Sequence, residues 1–162
     1  MWHYYIKPVL YFIPIAIIQL VIVPLISIDN VVPNLVLILL VYFTLRNGQI
    51  FGMLLGFGIG FIYDLISGGL LGAFMFSFTV SAFVTGFFYS ENKFDINLAS
   101  YFFLFILFIS SFICSFIYGA ISNSSTNISY IYLLIEEGLL PAVYTTLIGI
   151  PLVVFSSKKG LQ

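Results

Sequence analysis

Residues 33–72 read PNLVLILLVYFTLRNGQIFGMLLGFGIGFIYDLISGGLLG, and this stretch decides the fold. Two apolar runs, roughly 31–45 and 50–66, are separated by a short link carrying Arg46, and a tight turn at Ser67–Gly69 follows the second. Within the second run Gly52, Gly56 and Gly60 recur every four residues, in a row that starts at Gly48 and ends at Asp64. On a helix this spacing makes an oblique ridge without side chains, along which another helix can approach closely. In lipid, such contact replaces the hydrophobic effect as the driving force for association. The row predicts a centrally packed third helix, its ridge facing either another helix of this chain or a partner protein. Gly68, Gly69 and Gly72 add a tight turn into the next run, and Gly68 and Gly72 are expected to share with Gly52, Gly56 and Gly60 a helix-packing or partner interface.

Working outward, further apolar runs cover about 8–28, 70–89, 96–121 and 132–155. The chain is 62% hydrophobic and 7% charged, with a mean hydropathy of +1.19, whereas soluble domains carry about 25% charged residues. The expected fold is therefore an all-α integral membrane protein. At about 20 residues per span, 162 residues provide six spans with short loops, a single polytopic domain without room for a soluble one. The first run is too long for a signal peptide and lacks a small-residue cleavage site.

Basic residues set the expected orientation. Lys7 precedes the first run, Arg46 follows the second, Lys93 the fourth, and Lys158 and Lys159 the sixth, while the links at 27–31, 67–69 and 122–129 have none. Since Lys and Arg near spans are retained on the cytoplasmic side, both termini are expected there. Aromatic residues fall at both interfacial depths. Trp2, Tyr4, Tyr5, Tyr42, Phe88, Tyr89 and Tyr101 mark the inner one, and Tyr118, Tyr130 and Tyr132 the outer.

Few residues could carry chemistry. Asp64 lies inside an apolar run, where a charge costs ~2.5–3.5 kcal/mol at mid-helix and less near an end. It reads as a proton relay, a ligand contact, or a hydrogen-bonding partner for a neighbouring helix end. Pro33 and Asn34 fall at the same outer depth, and proline is suited to opening a helix. Together Pro33, Asn34 and Asp64 form an expected polar cluster. Glu136 and Glu137 precede the apolar core of the sixth run, where a helix N-terminus favours anions.

Familiar catalytic routes lack their residues. His3 is the only histidine and precedes the first span, so a Ser/His pair within the membrane cannot be built. One histidine and one cysteine, Cys114, do not make an ordinary zinc site, and a lone cysteine excludes an intramolecular disulfide. Asp64 has no second embedded aspartate with which to share a proton. Gly56, Gly58 and Gly60 miss the dinucleotide-binding spacing because Phe61 follows. The sequence implies no enzyme, cofactor or metal, and the net charge of −1 gives no reason to expect nucleic acid.

The block 33–72 resembles the rod shape-determining protein MreD family, which shows a P-[DN]-L start to its second span, a glycine-rich third span ending in Asp, and a glycine turn. Pro33, Asn34, Leu35, Gly52, Gly56, Gly60, Asp64, Gly68 and Gly72 stand at the matching places. The resemblance implies a non-enzymatic inner-membrane component of the bacterial elongation complex, supporting lateral peptidoglycan synthesis and cell shape. Its implied partners are MreC, RodA, a penicillin-binding transpeptidase and MreB, besides membrane lipid. The family is also distantly similar to the six-helix S components of energy-coupling factor vitamin transporters, and that similarity supplies the alternative, a small-molecule-binding transport subunit. S components commonly present A-x-x-x-A on their first helix; here Ala16 is followed by Leu20.

Overall fold

The computed structural model describes residues 2–27, 31–90, 101–124 and 129–159. Among them the chain is all-helical, with six helices. Helix α1 spans Trp2–Val21 and is followed by a 3-10 turn, Val23–Ile26. Helices α2 (Leu35–Asn47), α3 (Gln49–Ser67), α4 (Ala73–Gly86) and α5 (Tyr101–Ser122) come next. Helix α6 opens at Tyr130–Tyr132, widens into a π-helical stretch over Leu133–Leu139 and continues as Leu140–Lys159.

Among the described residues three segments are long and apolar enough to cross a membrane: Gln49–Ser67, Tyr101–Ser122 and Leu133–Val154. Helices α2 and α4, of 13 and 14 residues, are shorter than the apolar runs that announce them. At 1.5 Å per residue each extends about 20 Å, against a hydrocarbon core of about 30 Å. Helix α4 starts only at Ala73 because Gly68 (φ 67°) and Gly72 (φ 97°) hold the preceding link in left-handed backbone that side chains disfavour. Part of the expected fifth run, and Lys93 beside it, lie outside the described residues, as does much of the 122–129 segment.

The central helix is α2, which corrects the expectation that α3 would be. Residues 36–41, Phe43, Thr44 and Leu45 are all buried, because α2 packs against α1, α3, α4, α5 and α6. A helix apolar all round belongs inside a bundle. Helix α3 buries one face, made of Gly52, Leu55, Gly56, Ile59, Gly60, Tyr63 and Asp64, and exposes Ile50, Leu54, Phe57, Phe61 and Leu65.

The glycine ridge of α3 is occupied by this chain's own helices. A Cβ on Gly52 would collide with the Thr44 side chain of α2. One on Gly56 would lie 2.8 Å from the Phe78 carbonyl oxygen of α4, and one on Gly60 would lie 2.5 Å from Met75 Cα. Gly48 is not part of this ridge. With φ 96° it forms the joint between α2 and α3, beside the Tyr89 ring. Gly58 projects into open space. At the far end of the α3–α4 contact, Gly86 admits the Gln49 side chain, whose Nε2 donates to the Phe83 carbonyl at 2.9 Å.

Hydroxyls tie α4 to α5: Ser81 Oγ donates to the Ser110 carbonyl at 2.6 Å, and Thr85 Oγ1 and Ser110 Oγ lie 2.7 Å apart. Helices α5 and α6 approach through Gly119 against Glu137, Gly138 against Phe112, and Gly149 against Leu107.

Candidate functional site

Two short helices present their N-termini at the same end of the bundle, and each N-terminus brings backbone N–H groups that lack helical partners. Where water is scarce these groups must be satisfied by protein.

For α4 the partner is Asp64. Its Oδ2 accepts from Gly72 N at 2.9 Å and Met75 N at 3.1 Å, and its Oδ1 from Phe74 N at 3.1 Å. Ala73 N donates to the Leu70 carbonyl and Phe76 N to the Gly72 carbonyl, so every amide from Gly72 to Phe76 has an acceptor. Asp64 is 2% exposed. Residues 68–72 let the chain reverse so that the last turns of α3 cap the first turn of α4. An oxygen pair suits a helix N-terminus, where the positive end of the dipole is felt.

For α2 the work is divided. Asn34 Oδ1 caps the helix by accepting from Leu37 N at 2.9 Å, as an N-cap asparagine does. Gln19 of α1 receives Leu35 N on its Oε1 at 2.7 Å and donates Nε2 to the Pro33 carbonyl at 2.8 Å. Asn34 N donates to Thr145 Oγ1 of α6 at 3.0 Å. The start of α2 thus fastens α1 and α6 together.

Pro33 and Asn34 line a cavity of about 240 Å³ at this end, together with Gln19, Val31, Val32, Tyr63, Phe74, Cys114, Ser115, Tyr118, Tyr132, Glu136, Glu137 and Pro141. Asp64 is not among the lining residues: its carboxyl group is turned to α4, and the neighbouring Tyr63 faces the cavity instead. The structure thus parts Asp64 from Pro33 and Asn34. Gly68 and Gly72 are turn residues, whose added Cβ atoms would meet nothing within 4 Å, unlike Gly52, Gly56 and Gly60.

Sequence reasoning passed over Gln19 and Thr145. Gln19 carried a usable signal, as an amide inside an apolar run. Tyr118, read from the sequence only as an outer interfacial aromatic, stacks on Phe74 with ring centroids 4.1 Å apart. No group of three or more His, Cys, Asp or Glu side chains is placed to hold a metal among the described residues.

No curated protein and no solved structure matches the chain significantly. The family model of the rod shape-determining protein MreD matches residues 4–158, which takes in all six helices nearly whole. The proline–asparagine start of α2, the glycine ridge and the buried aspartate thus sit within an alignment that runs almost the length of the chain, and the chain belongs to the MreD family of shape-determining membrane proteins.

Proposed function

We propose that this chain is a non-enzymatic scaffold of the bacterial elongation complex in the cytoplasmic membrane. It binds MreC and, through that assembly, serves RodA, its penicillin-binding transpeptidase and MreB during lateral wall synthesis. The supporting observation is how the polar and small residues are spent. The ridge of Gly52, Gly56 and Gly60, the Asp64 carboxyl group and the Gln19 amide all serve internal packing and capping. The outward face of α3, with Ile50, Leu54, Phe57, Gly58, Phe61 and Leu65, is left to lipid or to partner helices. The transporter-like alternative draws on the cavity, but Ala16 of α1 is 4% exposed and packs inside this chain, so it is not presented to a transport partner.

Depletion from a rod-shaped host should give rounded, widened cells, and purification in mild detergent should recover MreC. Normal shape and no MreC recovery, with collapse of uptake of a vitamin, would replace the scaffold by the transport subunit.

The orientation has its own test. In a Cys114→Ser chain, a cysteine at Asn127 should react with a membrane-impermeant thiol reagent added to intact cells, and a cysteine at Asn92, beside Lys93, should not. The reverse pattern would invert the topology.

A further inference from the structure

The cavity beside Asn34 is lined by two chemically different sets of side chains. Tyr63, Phe74 and Tyr118 form a continuous set of rings: Tyr63 meets Phe74 edge-on at 4.7 Å, and Phe74 stacks on Tyr118. Beside them the consecutive residues Glu136 and Glu137, in the π-helical stretch of α6, also line the cavity. π-helical turns are rare and frequent at functional sites. Glu137 is seated against Gly119 of α5, where any side chain would displace it. The Tyr132 hydroxyl hydrogen-bonds the Glu136 carboxylate. Among the described residues lining the cavity none is basic.

Carboxylates and aromatic rings lining one cavity select by charge. Ring faces attract cations, most strongly where water is displaced. An anion would be repelled by both glutamates, and a neutral apolar occupant would desolvate them without return. A volume of about 240 Å³ is below the 300–1,000 Å³ usual for drug-sized ligands, which suits a group the size of a lipid headgroup. We propose that this cavity is a binding site for a small organic cation of the alkylammonium class. The proposal does not rest on the scaffold reading, and its test uses the protein alone.

The full chain in detergent is heated in steps and the fraction remaining monodisperse is read by gel filtration, so that the reporter is independent of the cavity, which the only cysteine, Cys114, lines. The probes are choline and ethanolamine hydrochlorides, compared with 3,3-dimethylbutan-1-ol, a neutral isostere of choline, and with sodium chloride at matched ionic strength. A cation should raise Tm saturably by about 3 °C or more, and the isostere and salt should not. Glu136→Gln/Glu137→Gln keeps the shape and removes the charge, and should abolish the shift. Equal stabilisation by the neutral isostere, no saturable shift with either cation, or a full shift in the double variant would each overturn the proposal. Comparing cation and isostere needs no variant, so the test stands even if the double variant does not fold. Repeating it in phosphatidylglycerol nanodiscs with and without phosphatidylethanolamine separates the two sources. Competition by phosphatidylethanolamine assigns the site to a lipid headgroup, and an undiminished soluble-probe shift assigns it to a free cation.

Discussion

Asp64→Leu should give the largest loss of folded protein of any single substitution at the cavity end of the bundle. It would strip acceptors from Gly72, Phe74 and Met75 N–H together, at a depth where leucine offers nothing and water is scarce. A buried donor left unpaired costs about 1–3 kcal/mol, so three of them should cost roughly 3 kcal/mol or more after relaxation. Asp64→Asn should fall between. Its single carbonyl oxygen, placed where Oδ2 lies, keeps the bonds from Gly72 and Met75, but its NH2 group then confronts the Phe74 N–H, donor against donor. The expected order of monodisperse yield by gel filtration, and of rod-shape complementation, is Asp64, then Asn, then Leu. Should Asp64→Leu fold as well as the parent while only shape is lost, capping would not be its role and a partner or proton contact would be.

The second large effect is expected at Gly60. Even Gly60→Ala places a Cβ 2.5 Å from Met75 Cα, a backbone atom that cannot rotate away, so α3 and α4 must separate along their shared face. Overpacking typically costs about 1–3 kcal/mol, and here separation also stretches the three bonds from Asp64 to the start of α4. Gly60→Ala and Gly60→Leu should therefore lower Tm in detergent progressively. Gly58→Ala and Gly58→Leu, two residues away on the open face, should leave it within about 2 °C. Gly86 makes a poorer control, because it already accommodates Gln49. Equal tolerance at positions 58 and 60 would show that the α3–α4 approach is not set by contact distance.

Both expectations join a residue visible in the sequence to a partner that was not. The spacing of Gly52, Gly56 and Gly60 is local information, since a helix converts a period of four into a ridge whatever surrounds it. The class of fold was legible for a similar reason: with 7% charged residues, the chain has too few polar groups to cover a soluble surface. An embedded aspartate likewise announces that it needs a partner. What the sequence by itself determined, then, was helices, their membrane setting, the close-packing face of α3 and the exceptional status of Asp64.

Only the tertiary structure decided which groups meet. Asp64 and Phe74 are ten residues apart, Gln19 and Leu35 sixteen, Asn34 and Thr145 one hundred and eleven, and no periodicity encodes such pairings. The start of α2 follows from the same source: where water is scarce a helix can begin only where acceptors such as those of Gln19 and Thr145 receive its first N–H groups. That condition is met by residues far away in the chain. It also explains why α2, rather than the glycine-rich α3, is central. A ridge without side chains marks where a helix touches its neighbour, whereas a helix buried on every face needs neighbours on every side, and their number is a property of the assembled bundle alone.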